Sequence, residues 1–252
     1  MQDSLSEPYL WFASFTRMVF MKQILMLIVC ILVSSNSYAF RVEPFLQAME
    51  PLGKKASATF KVINDSDKPL PIETEILRAH VNEQGKEVTQ PDDSFFLIPP
   101  QTMIPPQSSQ VFRLKYIGEP ILSQTEAYRL VFKQLSLDEN QGKSGVQLLF
   151  HFNVLLLVSP KDAKSNLITN IADHKDKKSI DVKLKNEGNK YVDLSKLNMN
   201  VVGSEGENTL KWFQYSPITG FQILLPQRER QFVIESGDIP NVGTVKTVDF
   251  SE

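Results

Sequence analysis

The chain has 252 residues, with 27 basic and 29 acidic side chains and a formal net charge of −2 at pH 7. Because it carries no excess of positive charge for a phosphate backbone, we expect no nucleic-acid partner. Its 42% hydrophobic and 22% charged residues are typical of a globular protein and exclude a mostly disordered chain. A single cysteine, Cys30, excludes an intrachain disulfide framework and a Cys-rich metal site.

The first predicted element, residues 1–39, is a cleaved secretory signal with an upstream extension. Lys22 supplies the positive charge, residues 24–33 are apolar, and small residues stand at −3 and −1 of a cut after Ala39. Met1 and Met21 are alternative starts. A membrane anchor is the alternative interpretation, but ten apolar residues are too few to span about 30 Å as a helix. We therefore expect no stable membrane insertion and export of the protein to an oxidising compartment.

Strand patterns dominate the remaining 213 residues. Short alternating runs, rich in β-branched and aromatic residues, are separated by Pro, Gly, Asn and Asp clusters, which is typical of strands and turns. The predicted strands of the first half are 56–63, 72–81, 94–98, 109–116, 127–135 and 146–158. Those of the second half are 179–185, 192–201, 209–214, 220–225, 229–234 and 245–250.

Six strands in about 120 residues, repeated once, predict two immunoglobulin-like β-sandwiches. The polar segment 161–166 lacks strand periodicity and follows Pro160. We therefore expect an all-β protein with an N-terminal domain over 40–160 and a C-terminal domain over 161–252.

The predicted strand 146–158 has an unusual length and composition. Thirteen residues exceed the usual strand of five or six, and side chains alternate between two faces. One face carries seven large apolar residues: Val146, Leu148, Phe150, Phe152, Val154, Leu156 and Val158. Such a strand is either a core strand buried on both faces, or an edge that exists to pair with a partner strand. In the second case the unbound protein could also pair with itself.

An ordered set of segments resembles the periplasmic chaperones of the chaperone–usher pilus pathway. These segments are Phe95-Phe96-Leu97-Ile98-Pro99-Pro100, the run 105–114, the run 126–132, the long strand ending before Pro160, and the run 182–192. The similarity covers nearly the whole chain after residue 39.

The resemblance implies a boomerang of two immunoglobulin-like domains. Members of that family hold pilus subunits that lack a strand, fill the subunit groove with their own long strand, and deliver the subunit to an outer-membrane usher. Applied to this sequence, the resemblance implies that the donor side chains are Val146, Leu148, Phe150 and Phe152.

Well-known members also bind the subunit's C-terminal carboxylate with an Arg from the first strand and a Lys from the long strand. The matching positions here are Ala48 and Leu155, so this sequence departs from that pattern. The segment 128–130 instead resembles the archaic, spore-coat-like branch, where the charge is expected elsewhere.

Arg129 is therefore the expected carboxylate anchor, because a guanidinium can donate two parallel hydrogen bonds to a carboxylate. The weaker candidates are Arg113 and Arg41. The alternative is that Arg129 is paired structurally with an acid such as Glu126 or Asp193.

Other chemistry finds little support in the sequence. The three histidines His80, His151 and His174 do not have metal-ligand spacing, and no phosphate loop or nucleophile motif is present. We expect a protein that is not an enzyme, with no metal and no cofactor. The alternative function is a secreted two-domain adhesive or pilus structural subunit.

Overall fold

The computed structural model describes residue 22 and residues 40–252, apart from 83–85, 137–147, 175–178 and 236. The chain divides into two compact units, Met1–Ala39 and Phe40–Glu252. All elements named below belong to the second unit. Within the described residues, no helix is long and apolar enough to cross a membrane.

The first group of strands, called here the N-terminal sandwich, forms two sheets. One sheet has the order β1-β3-β8-β6, and the other has the order β2-β10-β9-β4-β5, with β7 also paired to β4. The strands are β1 (Arg41–Glu43), β2 (Leu46–Met49), β3 (Ser57–Asn64), β4 (Leu70–Val81), β5 (Glu87–Pro91), β6 (Phe95–Ile98), β7 (Gln101–Ile104), β8 (Ser108–Tyr116), β9 (Glu126–Gln134) and β10 (His151–Val158).

Alternation of side chains explains how these two sheets pack. On β8, Phe112, Leu114 and Tyr116 are buried while Val111 and Arg113 are exposed, as expected for a strand with one face on a core. The inner faces meet around aromatic rings. The Phe132 ring centroid lies 5.1 Å from that of Phe112 and 6.3 Å from that of Phe60.

The remaining strands form the C-terminal sandwich. Its sheets have the orders β11-β12-β17, β13-β16 and β15-β14-β18. The elements are β11 (Leu167–Asp173), β12 (Ile180–Asn186), β13 (Val192–Asp193), β14 (Asn198–Gly203), β15 (Glu207–Leu210), helix α1 (Trp212–Thr219), β16 (Ile223–Leu224), β17 (Glu229–Ile234) and β18 (Val245–Ser251). A second hydrophobic core lies here, and Tyr215 of α1 is fully buried in it.

A third, small apolar cluster joins the two sandwiches. Ala79, Ala127 and Leu157 from the N-terminal sandwich pack with Tyr191 from the C-terminal one. Next to it, the Thr125 amide donates to the Asn189 carbonyl at 2.9 Å, and the Tyr191 amide donates to Thr125 Oγ1 at 3.1 Å. Buried backbone groups at the junction are therefore hydrogen-bonded across it.

The prediction of an all-β protein with two sandwiches is confirmed. Most predicted strands lie within a few residues of observed ones, for example 109–116 against β8 and 229–234 against β17. The domain boundary after residue 160 and the boomerang arrangement remain predictions.

The strand predicted over 209–214 is wrong, because β15 ends at Leu210 and helix α1 begins at Trp212. The Lys211 amide donates to Gln214 Oε1 at 2.9 Å, a side-chain contact that satisfies a free amide at the helix start. The helix ends at Gly220, which has φ of +70°. Of the strand predicted over 220–225, only Ile223–Leu224 (β16) is observed.

The strand predicted over 146–158 extends further towards the N-terminus than the observed strand. Residues 146 and 147 lie outside the described residues, 148–150 are not in a strand, and β10 begins at His151. Its neighbour β9 ends at Gln134, whose amide donates to the Phe150 carbonyl. Beyond that point no ladder partner is present among the described residues to hold the chain extended.

Candidate functional site

Strand β10 is paired along one side and only half paired along the other. It is antiparallel to β9 over its whole length, but parallel β2 pairs only with Leu155, Leu156, Leu157 and Val158. No described strand lies beside residues 151–154 on the β2 side. That half of β10 is therefore an open sheet edge, as the second interpretation of the long strand requires.

The backbone direction of β10 follows from its hydrogen bonds. Phe150 bonds towards β9 through its carbonyl, whereas Leu155 donates to the Phe45 carbonyl on the β2 side at 3.0 Å. Because the direction alternates along an antiparallel pair, the amides and carbonyls of His151 and Asn153 point to the open side. These groups are available to a further strand.

The side chains of β10 separate into three environments. Val154, Leu156 and Val158 are fully buried in the N-terminal core. On the opposite face, Leu155 and Leu157 belong to the cluster that joins the sandwiches. In the N-terminal half of β10 the side chains are more exposed: His151 and Asn153 are exposed, and Phe152 is half-buried.

The four predicted donor side chains differ in exposure. Leu148 is 72% exposed and Phe150 is 43% exposed. Phe152 is half-buried, with its ring centroid 4.6 Å from that of Phe40 at the margin of the core. Val146 lies outside the described residues. Leu148 and Phe150 thus form an apolar surface directly before the open edge.

A cavity of about 560 Å³ lies between the two sandwiches and contains Arg129, the predicted anchor. It is bounded by β4, β5, β9 and β10 on one side and by β16, β17 and the segment between them on the other. The charged side chains of its wall are Glu87, Arg129, Arg228, Glu229 and Arg230.

Arg129 lies opposite Leu155 in the pairing of β9 with β10. Its neighbours Tyr128 and Leu130 point into the core, so Arg129 points to the outer face of the sheet. Leu155 also lines the cavity. The guanidinium therefore emerges one strand away from the position where the resemblance placed a missing lysine.

Glu87, the first residue of β5, pairs with Arg129 through two hydrogen bonds. Arg129 Nε donates to Glu87 Oε1 at 3.0 Å, and Arg129 Nη2 donates to Oε2 at 2.7 Å. These hydrogen bonds lower the pKa of the Glu87 carboxyl, burial opposes the shift, and the charges of Arg129 and Arg230 add to it. Glu87 is thus held as a carboxylate.

Two more arginines in the cavity wall come from the C-terminal sandwich. Arg228 Nη2 donates to the Val81 carbonyl at 2.9 Å. Because a carbonyl group is neutral, this contact does not compensate the positive charge of Arg228. Arg230 lies over the Phe221 ring, 6.0 Å from its centroid. Among the described residues, neither forms an ion pair, whereas Glu229 pairs with Lys183 at 3.0 Å.

Arg129 is paired with an acid, as the structural alternative expects, but that acid is neither Glu126 nor Asp193. Its partner is Glu87, whereas the Glu126 carboxylate is engaged by Arg78 and by the Tyr128 hydroxyl. Burial of Tyr128 and its hydrogen bond to Glu126 raise the pKa of the phenol, so the hydroxyl is a hydrogen-bond donor to that carboxylate. Asp193 accepts from Ser195 and Gln222.

The two weaker anchor candidates are not brought to the cavity. Arg41 in β1 pairs with Asp65 at 3.0 Å. Arg113 is exposed on β8, opposite Ile98 of β6. Neither residue is part of the cavity wall.

Sequence reasoning missed Glu87, Arg228 and Arg230. A signal was present for the arginines, because Arg228 and Arg230 stand close together at the start of a predicted strand. Nothing local indicated Glu87, which is 42 residues from its partner. Within the described part of the chain, no group of His, Cys, Asp and Glu is arranged to hold a metal ion.

Residues 51–164 match the family of pili and flagellar-assembly chaperones in its PapD N-terminal domain. The resemblance to pilus-assembly chaperones inferred from the sequence is therefore confirmed for this segment. A comparison with curated proteins gives no match.

Solved structures of chaperones share the fold. The Escherichia coli chaperone DraB has 18% identity and a TM-score of 0.54, over 85% of this chain and 96% of that one. The Salmonella enterica SafB chaperone in complex with SafA pilin has 13% identity and a TM-score of 0.54, over 86% of this chain and 98% of that one. The Acinetobacter baumannii CsuC–CsuE chaperone–subunit complex has 13% identity and a TM-score of 0.51, over 78% of this chain and 90% of that one. Two immunoglobulin-like domains are therefore the fold of this chain.

Proposed function

We propose that this protein is a periplasmic chaperone that stabilises pilus subunits by donor-strand complementation and delivers them to an outer-membrane usher. The observation that carries the proposal is the open edge of β10 at residues 151–154, preceded by the exposed Leu148 and Phe150. A subunit that lacks a strand offers an unpaired ladder and an apolar groove, which are complementary to these two features.

The expected interaction has a backbone part and a side-chain part. A subunit strand would hydrogen-bond with the outward amides and carbonyls of His151 and Asn153, which sets the register. Leu148 and Phe150 would enter the groove, with Val146 before them and Phe152 after them. Each large apolar side chain buried in this way contributes roughly 1.5–3 kcal/mol before the cost of association.

Relatives of the same fold support this assignment. The SafB chaperone has been solved in complex with SafA pilin, and CsuC in complex with the tip subunit CsuE. The family match over 51–164 is to a chaperone domain, so it does not favour the alternative of an adhesive or structural subunit.

Arg129 is the proposed anchor for the subunit's C-terminal carboxylate. It lies in the cavity between the sandwiches, and the wall of that cavity holds two further arginines. Among the described residues, the wall has three guanidinium groups and two carboxylates, those of Glu87 and Glu229, and Glu229 is also paired with Lys183. The excess of positive charge favours an additional anion there.

Three further parts of the proposal rest on the sequence. Residues 1–39 are a signal that directs export, the domains divide after residue 160, and the chain belongs to the archaic branch of these chaperones. Self-association of the unbound protein through the open edge is also expected.

The experiment is co-expression with candidate pilus subunits from the same genome, followed by co-purification. Leu148→Asp/Phe150→Asp should abolish capture of the subunit, because two charges would be buried in an apolar groove without partners. The variant should stay folded, since neither side chain belongs to the buried core of the unbound protein.

Phe213→Asp is the matched control, because Phe213 is 75% exposed on α1 in the C-terminal sandwich. It should capture the subunit as well as the unmodified protein does. Full capture by a folded Leu148→Asp/Phe150→Asp protein would refute donor-strand complementation through this segment.

A further inference from the structure

Glu87 already fills the carboxylate position of the proposed anchor. Both of its oxygens accept from the Arg129 fork, at 3.0 and 2.7 Å, which is the two-point arrangement expected for any carboxylate on a guanidinium. An incoming carboxylate cannot form the same pair of hydrogen bonds while Glu87 holds that face.

We propose that Glu87 is an internal competitor that occupies Arg129 in the unbound protein and is displaced by the carboxylate of the subunit. This inference rests on the proposed function, because it assumes that Arg129 is the anchor. The contact would keep the guanidinium paired while the cavity is empty, and it would make release of Glu87 part of subunit binding.

The position of Glu87 makes displacement physically reasonable. Its side chain is 44% exposed and that of Arg129 is 27% exposed, so the pair is screened by solvent and weak compared with a buried one. Glu87 is also the first residue of β5, the outermost strand of its sheet. A side chain at a strand end can change rotamer without breaking the ladder.

The cavity offers the displaced carboxylate a second cation. Arg230 acts electrostatically on Glu87 and helps to lower its pKa. Among the described residues Arg230 has no ion pair, so it can balance Glu87 after Arg129 has changed partner. The carboxylates of Glu87 and of the subunit would then share the cavity with three guanidinium groups and with Glu229.

The test uses acetate as the carboxylate probe and acetamide as its neutral counterpart, at constant ionic strength, with the full chain. The readout is the Arg129 Nε–Hε resonance, assigned by its absence in Arg129→Lys. In Glu87→Gln this resonance should respond at about three- to tenfold lower acetate concentration than in the unmodified protein, since a partly exposed pair is the competitor. Acetamide should have no effect.

Glu229→Gln is the matched control, because it removes the same charge from the cavity wall without touching Arg129. It should change the acetate response far less than Glu87→Gln does. An equal or weaker response in Glu87→Gln, or equal gains in both variants, would overturn the proposal. Failure of the anchor itself has a separate readout, which is undiminished subunit capture by Arg129→Ala.

Discussion

Arg129 and Leu155 face each other across the β9–β10 pair, and both line the cavity between the sandwiches. In better-known pilus chaperones the long strand supplies a lysine at the position that aligns with Leu155. Here the neighbouring strand supplies a guanidinium on the same face of the sheet. This guanidinium lies one strand spacing, about 4.8 Å, from the strand that carries Leu155.

Arg129→Ala should weaken retention of a co-expressed subunit and change stability little. The Arg129–Glu87 pair is partly exposed, and such pairs contribute at most about 1 kcal/mol. Co-purification yield and urea denaturation measure the two effects. Arg113→Ala removes an exposed arginine outside the cavity and should retain the subunit normally. Equal retention by both variants would contradict the role of Arg129.

Phe152→Ala and Phe150→Ala should differ in stability although the residues are two apart on the same face. Phe152 packs on Phe40 at the margin of the core, so truncation should cost about 2 kcal/mol, less than the roughly 3–5 kcal/mol of a fully buried phenylalanine. Phe150 is 43% exposed, so its truncation should lower the free energy of unfolding by less than about 1 kcal/mol. Equal urea midpoints for the two variants would show that Phe152 is not part of the core.

Thr125→Val should destabilise the junction between the sandwiches. The buried Oγ1 accepts from the Tyr191 amide at 3.1 Å and contacts Ser159 Oγ at 2.8 Å. Valine has a similar shape but leaves the buried amide without a partner, at a cost of about 1–3 kcal/mol. Thermal unfolding and exchange of the Tyr191 amide report the loss. Thr209→Val, on an exposed strand position, should be nearly neutral, and similar losses in both variants would argue against a junction-specific effect.

The stability contributed by Glu87 should depend on pH in a defined direction. Its pKa is lower in the folded protein, chiefly because of the hydrogen bonds from Arg129. The contribution is therefore complete above the unfolded value of about 4.3, and it is lost as pH falls through the folded value. The difference in urea midpoint between the unmodified protein and Glu87→Gln should be constant above about pH 5 and shrink on acidification. A difference that does not change down to about pH 3 would contradict this assignment.

The alternation of apolar residues was sufficient to predict the fold class. On β3 and β8 the apolar residues with a period of two are those that the structure buries. This signal is local, because a strand with one face on a core must alternate. Helix α1 was missed because its signal is not local. Eight residues are too short for a clear helical period, and the burial of Tyr215 against another part of the C-terminal core stabilises them.

For the candidate site, local sequence indicated single residues and tertiary structure decided their partners. The composition of β10 and the position of Arg129 beside Tyr128 were readable along the chain. The half-open edge depends on where parallel β2 stops, and the cavity depends on β17 and the residue before it, which bring Arg230 and Arg228 to β5 and β9. Sheet pairing and the apposition of two sandwiches join residues that are distant along the chain, so no local pattern could reveal that Glu87 holds Arg129.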